Sequence, residues 1–102
     1  MKSLYEIFRE HTLISTDSRM ISPGCIFFAL KGPNFNGNTF SEKALTLGAS
    51  YVVIDEPEYK KDDRYIVVED VLLALQELAN QHRKQINIPV VFFVFRLIDN
   101  DI

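Results

Sequence analysis

Apolar positions change their spacing along the chain, and each change marks an element. Leu4, Ile7 and Phe8 recur at helical spacing behind Ser3-Leu4-Tyr5-Glu6, a Ser-x-x-Glu capping box, so a short helix ending near Glu10 is predicted. Leu13–Thr16 runs apolar then polar and reads as a short strand, followed by the turn signal Ser22-Pro23-Gly24. Cys25–Leu30 is apolar at every position and bounded by Gly24 and Gly32, the pattern of a strand covered on both faces. Lys31–Asn38 is rich in Gly, Pro and Asn and reads as loop. Thr39-Phe40-Ser41-Glu42 is a second capping box; it opens a helix carrying Phe40, Ala44, Leu45 and Leu47 that stops at Gly48. Tyr51–Ile54 and Tyr65–Val68 are strands by β-branched content, separated by the charged connection Glu56–Arg64.

From Glu69 the period becomes helical again through Val71, Leu72, Leu75, Leu78, Ala79 and His82. Acidic Glu69 and Asp70 stand at its start and His82, Arg83 and Lys84 at its end, which complements the helix dipole. Pro89 restarts the chain as a strand over Val90–Phe95. The order α-β-β-α-β-β-α-β predicts an α/β fold, a small sheet of about four to five strands with helices packed against it.

Composition narrows the class. With 102 residues, 25% charged and 47% hydrophobic, the chain suits one small soluble domain and leaves no room for two. Eleven Lys and Arg stand against 14 Asp and Glu, a net charge of −3, and the basic residues are scattered, which argues against nucleic acid as a partner. The most apolar stretch, Pro89–Ile98, falls well short of the ~20 residues a membrane-spanning helix needs and contains Arg96. Charges at Lys2, Glu6, Arg9 and Glu10 leave no apolar core for a signal peptide in the first eleven residues. The lone Cys25 has no disulfide partner, so a reducing compartment, the cytoplasm, is expected.

Three polar clusters invite a chemical reading. Thr16-Asp17-Ser18-Arg19 brings two hydroxyls and a guanidinium together, a combination suited to a diphosphate; the plain alternative is that Asp17 pairs with Arg19 and the hydroxyls cap turns. The Gly32–Asn38 loop lets backbone approach a ligand closely and feeds a helix N-terminus, with Phe35 and Phe40 placed to flank a flat ring; the alternative is a surface loop with its aromatics in the core. His82 beside Arg83 reads more simply as packing or capping than as a base. Several chemistries are excluded outright. With glycines only at 24, 32, 37 and 48, neither a Gly-x-x-x-x-Gly-Lys-Ser/Thr loop nor a Gly-x-Gly-x-x-Gly fingerprint exists. One Cys and two distant His give no zinc-ligand set, and Cys25 reads as a buried small hydrophobe. A small hydrolase using Ser18 or Cys25 lacks a base at plausible spacing.

A longer pattern resembles a known family. Ser15-Thr16-Asp17-Ser18-Arg19, Pro23-Gly24-Cys25-Ile26-Phe27-Phe28-Ala29-Leu30-Lys31-Gly32, Phe35-Asn36-Gly37-Asn38-Thr39-Phe40 and Ala44 with Gly48-Ala49 are similar, in order, to the N-terminal domain of the Mur ligases, which build the peptide of bacterial cell-wall precursors. Leu75-Gln76, Leu78-Ala79, His82-Arg83 and Ile88-Pro89-Val90 resemble the branch that adds D-alanyl-D-alanine to UDP-N-acetylmuramoyl-tripeptide. The resemblance implies a domain, residues 1–90, that holds the UDP end of this substrate, with Thr16, Ser18 and Arg19 at the diphosphate or ribose. Gly37, Asn38, Thr39 and Phe40, framed by Lys31 and Gly32, would surround the uracil or its phosphates. Asn36 and Asn38 depart from the family's Asp and His at those places and carry no charge.

The resemblance further implies that ATP and magnesium belong to other ligase domains, so no cofactor is expected on this chain. Residues 91–102 diverge where the family enters its ATP-binding domain, and the expectation is a truncated or frame-altered chain, inactive by itself. The competing reading is a non-enzymatic α/β module that dimerises through its Phe-rich last strand, Phe92, Phe93 and Phe95.

Overall fold

The computed structural model of the chain describes residues 3–11 and 13–85, with side chains as far as residue 81. Along the described residues run α1 Leu4–Glu10, β1 Ile14–Ser15, β2 Ile26–Phe28, β3 Lys31–Gly32, β4 Phe35–Asn36, α2 Ser41–Thr46, β5 Tyr51–Ile54, β6 Tyr65–Val67 and α3 Val71–Gln85. The main sheet has the order β1-β2-β5-β6. Every neighbouring pair is parallel, in the register Ile14 to Ile26, Phe27 to Val52 and Val53 to Ile66.

Alternation along β2 explains why that strand is apolar throughout. Ile26, Phe28 and Leu30 point to one face, where they meet Ile7 and Phe8 of α1 and Val71, Leu75 and Leu78 of α3. Cys25, Phe27 and Ala29 point to the other, where Ala44 and Leu45 of α2 cover them. A sheet with helices on both faces is the three-layer α/β arrangement, and it accounts for the doubly buried strand read from the sequence. Burial also pushes the Cys25 thiol above its ordinary pKa, which keeps it protonated and inert.

Most expected elements are present, with shorter strands. At the first capping box, Ser3 Oγ accepts from Glu6 N at 3.2 Å, and α1 ends at Glu10. The predicted 31–38 loop differs: it contains the antiparallel pair β3–β4, in which Gly32 faces Phe35. Gly32 matters here because the Phe35 ring lies across it, where any Cβ would collide with the ring. The second capping box is not used as such. Asn36 caps a 3₁₀ turn over Gly37–Phe40, its Oδ1 accepting from Asn38 N at 3.0 Å, and α2 begins only at Ser41 without a side-chain cap. Thr39 Oγ1 instead donates back to Asn36 O at 2.8 Å. An Asn side chain reaches its own backbone two residues on, and that local bond outcompetes the threonine. The strand over Val90–Phe95, the dimerisation reading built on it and the side chain of His82 lie outside the described residues.

Candidate functional site at the carboxyl edge of the sheet

Because all four strands of the main sheet run the same way, the segments that follow them emerge at one edge. Thr16–Arg19 follows β1, the β3–β4 hairpin with its 3₁₀ turn follows β2, Asp55-Glu56 follows β5, and Val68–Asp70 follows β6 into α3. β1 and β2 are hydrogen-bonded neighbours, about 4.8 Å apart, so the two clusters singled out in the sequence leave the sheet side by side.

The 16–19 segment is built on Ser15, whose buried hydroxyl shares its one proton between the carbonyls of Asp17 and Met20, both at 2.9 Å, and accepts from Asp17 N at 3.2 Å. Asp17 in turn grips Arg19: Oδ1 accepts from Arg19 N at 2.9 Å and Nε at 3.0 Å, and Oδ2 from a terminal guanidinium nitrogen at 2.9 Å. The hydrogen bond from Arg19 lowers the Asp17 pKa below its ordinary value. This is the Asp17–Arg19 pair anticipated as the plain alternative, yet it leaves the Arg19 side chain 83% exposed. The pair orients the guanidinium without sheltering it. Thr16 Oγ1, in the same segment, is buried with no protein partner.

The hairpin side is held by a polar network. Asn38 is fully buried: its Nδ2 donates to Asn36 Oδ1 at 2.8 Å and Asp55 Oδ1 at 3.0 Å, and its Oδ1 accepts from Asp55 N at 3.1 Å. Lys31 pairs with Glu56 at 2.7 Å and Asp55 at 3.2 Å, and those carboxylates, Glu56 first, raise its pKa. Asn36 Nδ2 donates to Glu56 at 2.9 Å, and Asp55 Oδ2 accepts from Val71 N at 3.3 Å. Burial alone would raise the Asp55 pKa, but bonds from Asn38, the Val71 N–H and Lys31 outweigh it and lower it.

Not every residue singled out in the sequence offers its side chain to a ligand here. The Asn38 amide is spent on interior bonds, Thr39 on its own turn, and Lys31 on two carboxylates. Gly37 lets the turn close onto β2: Gly37 N donates to Leu30 O at 2.7 Å, and a Cβ would sit 2.5 Å from that same oxygen. What the edge exposes is the Arg19 guanidinium, the Phe35 ring backed by Gly32, and Phe40, the two rings being 42% and 40% exposed. Asp55 and Glu56 are not among the residues that the sequence singles out; the signal available was their place directly after a doubly buried strand of a parallel sheet. A cavity of about 410 Å³ lies between α1 and α3, lined by Tyr5, Asp70, Leu73 and Glu77 among others, and includes no residue of the 16–19 or 31–40 segments. Among the described residues no group of His, Cys, Asp and Glu is suited to a metal, and no helix is long and apolar enough to cross a membrane.

A parallel sheet with helices on both faces, and polar and aromatic groups at its carboxyl edge, defines an α/β domain of the architecture in which small molecules commonly seat at that edge. The comparisons give it a family. Residues 10–83 match the model of the Mur ligase family, catalytic domain, and the chain belongs to the Mur ligase family. It is 39% identical over 80 residues to the UDP-N-acetylmuramoyl-tripeptide--D-alanyl-D-alanine ligase of Synechocystis, covering 76% of this chain and 18% of that protein. It is also 40% identical over 76 residues to the UDP-N-acetylmuramoyl-L-alanyl-D-glutamate--2,6-diaminopimelate ligase of Lawsonia intracellularis, covering 72% of this chain and 16% of that protein. Among solved structures, the MurF ligase of Thermotoga maritima in complex with ADP superposes with a TM-score of 0.67 at 28% identity over 83% of this chain and 18% of that one. MurF from Acinetobacter baumannii gives 0.62 at 31% identity over 74% of this chain and 16% of that one. The chain thus spans less than a fifth of the relatives it matches.

Proposed function

We propose that this chain is the domain that holds the UDP end of UDP-N-acetylmuramoyl-tripeptide for the D-alanyl-D-alanine-adding ligase. The observation that carries this reading is the adjacency of β1 and β2, from which the segment bearing the exposed Arg19 guanidinium and the hairpin bearing Phe35 leave the same edge of the sheet. Arg19 takes the diphosphate through the guanidinium edge that Asp17 leaves open, with Thr16 and Ser18 as nearby hydroxyls. The uracil rests on the open face of Phe35, whose other face is backed by Gly32, and the Gly37–Phe40 turn that directly follows Phe35-Asn36 borders it. The choice of the D-alanyl-D-alanine ligase over the diaminopimelate ligase is supported by the MurF structural neighbours, the sequence identities to the two, 39% and 40%, being nearly the same.

The domain contributes position. Anchoring the nucleotide fixes a remote part of the substrate, and that anchoring supplies orientation where the peptide carboxylate reacts. ATP, magnesium and the incoming dipeptide fall to the remaining length of such a ligase, acting with this domain in the cytoplasm. Isothermal titration with UDP-N-acetylmuramoyl-tripeptide tests the reading. The native chain should release binding heat and Arg19→Ala should weaken affinity about tenfold or more, the scale of a lost charge-assisted pair. The melting temperature should stay unchanged, because an exposed ion pair adds little stability. Equal affinities for the two proteins would remove Arg19 from the site.

A further inference from the structure

We infer that Asp55 is a positioning residue of this edge: it touches no ligand, and it sets nucleotide affinity by fixing the Gly37–Phe40 turn and Lys31. The inference rests on the UDP reading above. Its support is the convergence of three segments on one carboxylate. Asp55 directly follows β5; its Oδ1 accepts from Asn38 Nδ2 in the turn at 3.0 Å and pairs with Lys31 Nζ of the hairpin at 3.2 Å. Its Oδ2 accepts from Val71 N, the first residue of α3, at 3.3 Å. Its backbone N–H donates to Asn38 Oδ1 at 3.1 Å, so residues 38 and 55 are joined by two bonds of opposite sense.

That double bond imposes a chemical requirement: an amide at 38 must face a carboxylate at 55. Asn38 is fully buried, so water cannot repair a mismatch. In Asp55→Asn, an amide that keeps its oxygen toward Val71 N turns its NH₂ group against the Asn38 NH₂ group. In Asn38→Asp, a second carboxylate is set against Asp55 and against the Asn36 Oδ1 that now receives Asn38 Nδ2. Combining the two exchanges the groups and restores a donor facing an acceptor, with the 55 N–H still donating to residue 38. A residue that merely adds stability has no reason to show this reciprocity in ligand affinity.

The experiment compares the native chain, Asp55→Asn, Asn38→Asp and the double variant by two readouts, at a temperature where circular dichroism shows each one folded. The readouts are titration with UDP and amide hydrogen exchange of residues 36–40 in the ligand-free protein. Each single change should weaken UDP binding about tenfold and speed exchange in the turn, and the double variant, which restores the 38–55 pair but neither the bond to Asn36 Oδ1 nor the Lys31 pair, should recover part of both. Native affinity in Asp55→Asn, or a double variant no better than the singles, would overturn the inference. If Asp55→Asn does not fold, Asn38→Ala cuts the same tie and leaves the Asp55 bond to Val71 in place; faster exchange in the turn with weaker binding supports the inference, and unchanged values overturn it. If the native chain does not bind UDP at all, the UDP reading fails by itself, while the exchange data still decide whether Asp55 positions the turn.

Discussion

Gly37 shows how one residue position can set the shape of the edge. Its φ is negative, so conformational freedom is not what selects glycine there; space is, because a Cβ would lie 2.5 Å from Leu30 O and 2.8 Å from Ala29 C. Both neighbours are backbone of a segment buried from Cys25 to Leu30 and have little freedom to move away. Gly37→Ala should therefore cost about 1–3 kcal/mol and lower the melting temperature by several degrees in a thermal scan. At the same scale the sequence was informative about residue type and uninformative about direction. Arg19 and its pairing with Asp17 were readable from spacing. The inward turn of Asn38 was not, because its partner Asp55 lies seventeen residues away and only the folded sheet brings them together.

Among the elements, the helices were legible because capping and 3.6-residue periodicity are local, as the Ser3 cap of α1 illustrates. The β3–β4 pair was hidden by its own turn residues, since Gly32, Pro33 and Asn34 read as loop even where two-residue strands flank them. Asp55 links these elements, and its lowered pKa has a consequence for stability. A carboxyl group with a folded pKa below its ordinary 3.8 contributes stability that is complete above that value and is lost as pH falls through the folded one. Melting temperature should fall on acidification below about pH 4, and the fall should be shallower in Asp55→Asn, which has no carboxyl to protonate at this junction. An identical acid profile in the variant would show that other carboxylates carry the effect. Asp17 and Asp62, the latter lowered to about 2, leave a residual slope in both proteins.

For the whole molecule, the doubly covered sheet followed from a single uninterrupted apolar strand, whereas strand order did not. Nothing in the local pattern states that β1 lies beside β2 or that both run parallel, and that adjacency turns two separate motifs into one edge. If the proposed function holds, the uridine nucleotide binds at this edge and at no other surface. Nuclear magnetic resonance of the ¹⁵N-labelled chain titrated with UDP tests it directly. Amide shifts should saturate together and map to residues 15–19 and 31–40. Shifts confined instead to Ser3, Leu4, Tyr5 and residues 68–81, around the cavity between α1 and α3, or no saturable shift at all, would contradict it.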